Sequence, residues 1–450
     1  MLLKKGCFMK ILFVSLGCDK NLVDSEMMLG MLGEKGFTFT DDEAEADIVV
    51  VNTCCFIGDA KEESINTLLQ MSELRENGQL KALIAAGCLA QRYREEIQKE
   101  IPQVDAIIGT TAIEDVVAAV EEVLAGNSRN HYKDINEKPV TDKKRVVTTG
   151  GHFAYLKIAE GCDKHCTYCI IPKVRGNFRS VPMENLVAEA TQLAEAGVRE
   201  LILVAQETTL YGVDLYGEKS LPKLLHELAQ IPGIYWIRVL YCYPEEITDE
   251  LIEAIATEPK VCHYLDIPIQ HAADSVLRRM GRRTNQEELR AMIEKLRDRI
   301  PDICLRTTLI SGFPGETQED FEELYNFVDE MEFDRLGVFA YSQEEDTAAA
   351  LMPDQVEEEV KEARRDELME LQQEIAFEKA EDMVGRVLTV MIEGKVADED
   401  AYVARTYKDA PNVDGYLFVN TTAALMTGDF VKVQVTGSNE YDLIGEIYHE

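Results

Sequence analysis

The chain has 450 residues, enough for about three domains and more than one core. Its 46 basic and 83 acidic residues leave a formal net charge of −37, which argues against a general nucleic-acid binder, since such proteins carry a basic footprint. The charge favours a cationic protein partner or a well-solvated surface.

Eleven Cys without regular disulfide spacing, in a chain this acidic and large, point to a reducing cytoplasm. No apolar stretch approaches the roughly 20 residues of a membrane span, so a soluble protein is expected. In the opening MLLKKGCFMKILFVSLGC the apolar run Ile11–Leu16 is shorter than a signal-peptide core, and Asp19 and Lys20 follow directly. These residues read as a buried first strand beginning near Met9; Cys7 precedes it and has no evident role.

From residue 9 to 126, KILFVSLG, ADIVVV, ALIAAG and DAIIG have the pattern of strands. DSEMMLGMLGEKG, KEESINTLLQMSEL and QRYREEIQKEI between them have the pattern of helices, with Asp, Glu or Ser near their starts. Alternating β and α elements with continuously apolar strands predict an α/β domain with a parallel sheet covered on both faces. Residues 127–151 are polar, lack periodicity and read as a linker.

A second βα series runs from 152 to 383. FAYLKIAE, LILVAQET, YWIRVLY, YLDIPIQ, LRTTLISG and LGVFAYS are six strand-like segments, which predicts a partial or open α/β barrel, two repeats short of eight. Residues 354–382 form one long charged amphipathic helix, with Val356, Val360, Leu368, Leu371 and Ile375 on its apolar face and its charge solvated. Over 384–450, RVLTVMIEGKV, AYVARTY, GYLFVN and FVKVQVTG alternate with Gly, Asn and Asp turns and predict a third domain, a small β-barrel.

Two cysteine groups carry the chemistry. Cys162, Cys166 and Cys169 form a CxxxCxxC run after the first strand of the second series. Three thiolates so close hold three corners of a 4Fe-4S cluster and leave one iron open to a ligand. Zinc is the competing occupant, but a structural zinc site takes four ligands, usually in two pairs, and the nearest extra donor, His165, lies inside the run. Cys18, Cys54 and Cys88 are far apart in sequence, yet each falls just past the end of a strand. Adjacent parallel strands bring such ends together, where open α/β sheets bind ligands, so these three thiolates form a candidate second cluster site. The alternative is three small buried residues at strand ends; a single Cys there would be ordinary core, and three at equivalent addresses favour a ligand set.

Weaker candidates are Gln206 and Glu207 after the second barrel strand, Gly312 in LISGFPGE, and Arg175 and Arg179, which either bind a carboxylate of a ligand or of an acidic substrate loop or are idle surface arginines. His152, His263 and His271 lack ligand spacing and are expected to be structural, and Cys242, Cys262 and Cys304 to be core. Tyr407, Asp409 and Asp414 form either a partner-facing acidic turn or a closed hairpin.

The CxxxCxxC run, with Tyr168 before its last Cys, resembles the radical S-adenosylmethionine (SAM) superfamily. The resemblance implies that Cys162, Cys166 and Cys169 bind a 4Fe-4S cluster whose free iron chelates SAM, and that one electron then cleaves SAM to a 5′-deoxyadenosyl radical. Tyr168, Gln206, Glu207 and Gly312 are then the candidates for SAM contact. SLGCDKNLVDSE, VNTCCFIGDAKEES, GCLAQRY, EGCDKHCTYCIIPKVRG, IPIQHAADSVLRRMGRR and SGFPGET extend the resemblance from residue 9 to 450, to the methylthiotransferase family. That family implies three parts: an N-terminal domain whose second 4Fe-4S cluster, here on Cys18, Cys54 and Cys88, carries the sulfur; a radical SAM barrel; and a TRAM β-domain.

Within the family, EGCDKHCTYCIIPKVRGNFRS, YLDIPIQHAAD and ARTYKDAPNVDG resemble the RimO-type branch, which methylthiolates the β-carbon of an aspartate on small-subunit ribosomal protein twelve. The alternative is the MiaB-type branch, which acts on tRNA isopentenyladenosine. The first reading implies a basic ribosomal protein as partner, an external electron donor of the flavodoxin type, and no membrane or stable nucleic-acid binding. Residues 384–450 hold 11 acidic and 5 basic residues, a net of −6, which suits a basic protein better than phosphate.

Overall fold

The computed structural model describes residues 9–449 except 77 and 79, and of residue 76 the backbone alone; Cys7 lies outside the described residues. The chain divides into two compact units. The first comprises the residues up to Thr148 with Lys157–Asn185 and Ser342–Thr347; the second comprises Thr149–Leu156, Leu186–Tyr341 and the chain from Ala348.

The first unit is built on a five-stranded parallel sheet. Its strands are, in spatial order, Thr38–Phe39, Lys10–Ser15, Ile48–Thr53, Ala82–Ala86 and Ala106–Ile108. Ile48–Thr53 and Ala82–Ala86 are buried at every residue, as strands covered on both faces must be. Ser15, Asn52 and Ala86 stand level in the ladder, so the three central strands end together. The helix expected to start at Asp24 starts at Asp19, immediately after Cys18. The one expected over Gln91–Ile101 is split into Gly87–Tyr93 and Glu95–Glu100, because Arg94 turns the backbone to φ 46°.

Residues 127–148, expected to be part of a linker, lie along this unit. Arg145 Nε and the Thr148 amide donate to the buried carboxylate of Glu26 at 2.7 and 2.6 Å. Segment Ser342–Thr347 is fastened to the same unit: Lys61 and Arg92 pair with Glu344 at 2.8 and 3.2 Å.

In the second unit six strands form an open sheet in the order Arg335–Ala340, Cys304–Ser311, Val261–Asp266, Trp236–Val239, Glu200–Val204 and Phe153–Lys157. This is the six-strand partial barrel that the sequence predicts. The long helix runs over Glu358–Glu381 and buries Leu368, Leu371 and Ile375. Val360 is exposed, however, and Lys361, Arg364 and Gln372 are buried, so its charge is not all solvated. Arg364 Nη1 donates to Glu316 Oε1 at 2.8 Å, which supplies the partner that a buried charge requires.

The last 64 or so residues close into a five-stranded barrel, Val387–Lys395, Ala401–Thr406, Leu417–Asn420, Phe430–Asn439 and Asp442–Ile447; the fifth strand is not among those read from the sequence. A buried ionic chain runs through this unit. Glu200 accepts from Arg238 Nε at 2.8 Å and Arg405 Nη2 at 2.7 Å, and Arg405 Nε donates to Glu393 at 2.7 Å. His152 Nε2 lies 2.7 Å from Glu393, in line with a structural role. No helix among the described residues is long and apolar enough to cross a membrane.

Candidate cluster sites and their shared charge network

All six predicted cysteine ligands fall in the first unit, and no described Cys is joined in a disulfide. Cys18 caps the helix Asp19–Glu34, Cys54 directly follows strand Ile48–Thr53, and Cys88 is the second residue of helix Gly87–Tyr93. They stand three, two and two residues beyond the level row Ser15, Asn52 and Ala86. Three adjacent strand ends therefore present one thiol each, as the spacing predicts. Cys54 and Cys88 are buried and Cys18 is exposed, so the group is closed on one side and open on the other.

Gly17 has φ 86°, and a β-carbon on it would lie 2.7 Å from Cys54 Cβ; only glycine lets the first turn come this close to the second Cys. Asn21, fully buried, then fastens all three strand ends. Its Nδ2 donates to Leu16 O at 2.9 Å and Thr53 O at 3.0 Å, and its Oδ1 lies 3.8 Å from Cys88 Sγ. Ser64 holds Cys54 itself, accepting from the Cys54 amide and donating to its carbonyl, both at 2.9 Å. Burial pushes the Cys54 and Cys88 thiols up, the charge of Cys18 adds to both and that of Cys54 to Cys88, and Arg175 opposes it. Adjacent Cys55 is buried away from solvent and pushed up to about 12, by burial first and with Arg92 opposing.

The CxxxCxxC run is an irregular loop ending in helix Ile171–Arg175. Gly161, φ 80°, lets the loop start against the chain that leaves it: an added β-carbon would sit 2.0 Å from Asn177 O. The Cys162 amide donates to Gly176 O at 3.1 Å and the Cys169 amide to Cys166 O at 3.0 Å, so the three thiols share one tight turn. Burial raises the Cys169 thiol, followed by the charge of Cys166, with Cys162 also contributing, so these sulfurs feel one another. Helix Ile171–Arg175 packs Ile170 and Val174 into the same core as Leu89 and Ala90, the residues that follow Cys88.

Arg175 and Arg179 correct the sequence reading. Arg175 is 2% exposed rather than a surface arginine, and its guanidinium reaches Cys88 Sγ, Asp24, Glu160 and Asn21. Arg179 is half-buried and donates to the Arg175 carbonyl at 3.0 Å. Lys157 closes the network on Asp24 and on Glu160, the latter at 2.8 Å. Glu160 precedes Cys162 by two residues and Arg175 follows Cys169 by six. One buried network thus touches both flanks of the CxxxCxxC run and the Cys88 site.

The remaining candidates lie elsewhere. His165 is exposed with φ 54°, and Tyr168 is half-buried in the cysteine loop. In the second unit Gln206 is half-buried, while Glu207 is fully buried and caps its own turn through the Thr209 amide at 2.8 Å. Gly312 has its missing side chain's place taken by Lys361 Cγ, 2.2 Å from an added β-carbon. Cys242, Cys262 and Cys304 are core. His263 pairs with Asp302 and His271 with Glu316, both structural. Asp409 is buried and accepts from Arg335 Nη2 at 2.6 Å, and the enclosed side chain of Asp414 accepts from Tyr264 Oη at 2.8 Å, so neither carboxylate faces a partner.

Among the described residues no three His, Cys, Asp or Glu side chains are set as a cage for one metal ion. Each donor set instead offers three thiols whose charges act on one another, which suits an iron–sulfur group.

Three family descriptions match the chain: Uncharacterized protein family UPF0004 over residues 10–109, Radical SAM superfamily over 156–328, and TRAM domain over 384–447. The chain is 63% identical to the ribosomal protein uS12 methylthiotransferase RimO of Lachnoclostridium phytofermentans over 437 residues, 97% of this chain and 99% of that protein. The chain belongs to the RimO family.

RimO of Clostridioides difficile is 48% identical over 98% of the chain, and RimO of Acetivibrio thermocellus 49% over 98%; each match covers 99% of the relative. The radical SAM methyltransferase TsrM from Kitasatospora setae shares the fold, with TM-score 0.53 at 14% identity over 74% of this chain and 73% of that one. The radical SAM enzyme OxsB gives 0.51 at 13% identity over 82% and 56%. Membership of the RimO family within the radical SAM superfamily makes the chain a radical SAM methylthiotransferase and implies SAM and 4Fe-4S chemistry. Cys18, Cys54 and Cys88 fall inside the first matched span and Cys162, Cys166 and Cys169 inside the second.

Proposed function

We propose that this chain inserts a methylthio group at the β-carbon of an aspartate of ribosomal protein uS12, using two 4Fe-4S clusters. The observation that carries the reading is the pairing of two open three-thiol sets in one compact unit of a RimO-family chain. Cys162, Cys166 and Cys169 would hold the cluster that binds SAM, and Cys18, Cys54 and Cys88 the one that carries sulfur. When bound, these groups supply a carbon-centred radical from SAM that removes the substrate hydrogen, and the sulfur that replaces it.

The chain's own work is to hold the thiols, shield them and leave one approach. Cys54 is buried and Cys88 is buried among apolar side chains, which keeps water from reactive species, while exposed Cys18 leaves a side for the substrate. No side chain need act as general base. Tyr168, in the cysteine loop itself, is the SAM contact we retain; Glu207 and Gly312 already serve their own turn and packing.

A basic protein substrate suits the C-terminal barrel. Of its five basic residues, Arg405 is buried against Glu200 and Lys408 pairs with Asp334, which leaves an acidic surface poorly suited to phosphate. An external reductant of the flavodoxin type supplies the electron, and the action is cytoplasmic.

The test is a pair of variants of the reconstituted protein. Cys166→Ala should abolish SAM cleavage. Cys54→Ala should retain SAM cleavage and make no methylthiolated product. Product formation by Cys54→Ala would overturn the assignment of the second cluster.

A further inference from the structure

We infer that Arg175 is a positioning residue of the Cys18, Cys54 and Cys88 site, fixing the Cys88 sulfur and joining it to the CxxxCxxC segment. This rests on the proposal that those cysteines hold a cluster.

A guanidinium has five donors in a rigid fork, and here three directions are taken. Nη1 donates to Asp24 Oδ2 at 2.7 Å and Glu160 Oε2 at 3.1 Å, and Nη2 donates to Asn21 Oδ1. Nε donates to Cys88 Sγ at 3.3 Å. Two carboxylates, Asp24 and Glu160, face two cations, Arg175 and Lys157, so the network is neutral without the sulfur.

Elsewhere in the chain the Nε–H groups of the buried Arg238 and Arg405 are given carboxylates. The buried Nε–H of Arg175 is instead given a sulfur, and a neutral thiol is a weak acceptor. A ligating thiolate is a strong one, so the arrangement is satisfied fully when Cys88 carries negative charge to a cluster. Hydrogen bonds to ligand sulfurs tune cluster potential and retention, and loss of such outer partners typically weakens metal binding about 10–100-fold. The same guanidinium is braced by Glu160, two residues before Cys162, so the sulfur's position is set from the other cysteine segment.

Two backgrounds separate the sites in the full chain, reconstituted without oxygen. The triple variant Cys162→Ala, Cys166→Ala, Cys169→Ala retains iron at the auxiliary site only; Cys18→Ala, Cys54→Ala, Cys88→Ala retains it at the other. Arg175→Lys keeps the charge but cannot span the sulfur and both carboxylates. In the first background it should speed iron release to a chelator about tenfold and change the spectrum of the reduced cluster. In the second it should leave release within about twofold. Arg175→Gln with Asp24→Asn removes one charge of each sign and should have the same site-selective effect, with folding followed by circular dichroism. Release unchanged in the first background, or accelerated equally in both, would overturn the role of Arg175. If the first triple variant held no iron, the second-cluster assignment itself would fall, and the inference with it.

Discussion

Replacing Asn21 with alanine removes the residue that fastens the three cysteine-bearing strand ends. The change deletes a buried hydrogen bond to Thr53 O, a part-buried one to Leu16 O, and the acceptor that Arg175 Nη2 uses. Each neutral bond contributes about 1 kcal/mol net and the charged one about 1.5–3. Thr53 and Arg175 are buried, so water cannot replace the partners they lose. A loss of about 4 kcal/mol is expected, large against a total stability of about 5–15. Chemical denaturation of the apoprotein measures it without cluster binding. Asn185→Ala is the control: its side chain makes one exposed 3.4 Å contact to Asp142, and it should shift stability by less than about 0.5 kcal/mol. On reconstitution Asn21→Ala should also lose auxiliary iron before SAM-site iron. A loss below about 1 kcal/mol, or equal iron loss from both sites, would refute the reasoning.

Gly161→Ala should misplace the CxxxCxxC turn, because its β-carbon would meet Asn177 O at 2.0 Å; SAM-site iron should fall while auxiliary iron is kept, read by iron analysis in the separated-site backgrounds. Glu200→Leu should cost about 3–5 kcal/mol by leaving Arg238 and Arg405 buried without their shared carboxylate, seen as a lower thermal midpoint. Burial raises the Glu200 carboxyl, but Arg405 and Arg238 outweigh it and hold it below 4.5. Its contribution is therefore complete above about pH 4.5 and lost as pH falls through the lower folded value, so Glu200→Gln should flatten the acid limb of a stability–pH curve.

Both sheets were legible because parallel strands covered on two faces must be apolar throughout, as IVVVNT and ALIAA nearly are. The cysteine addresses followed from the same logic, since level strands end level. The Arg94 break was not legible: a left-handed turn at a non-glycine residue leaves no periodic signature. Nor was the two-residue strand Thr38–Phe39, too short to show alternation.

Arg175 was misread because an arginine in sequence looks solvated until its partners are assembled from three other segments. A signal existed in the helix after Cys18, where Lys20, Asn21, Asp24, Ser25 and Glu26 are all buried. Polar residues crowding the first turns of a helix packed on a sheet imply partners, and those partners include the arginine and lysine flanking the second cysteine run. Asp409 and Asp414 were ambiguous for the opposite reason: their arginine partners lie about 75 to 110 residues away.

The most direct test of the whole account offers the anaerobically reconstituted enzyme, with SAM and a reductant, two substrates in parallel: ribosomal protein uS12 and tRNA lacking the modification. Mass spectrometry should find one methylthio group on an aspartate of uS12 and none on the tRNA. Modification of the tRNA, with uS12 left untouched, would contradict it.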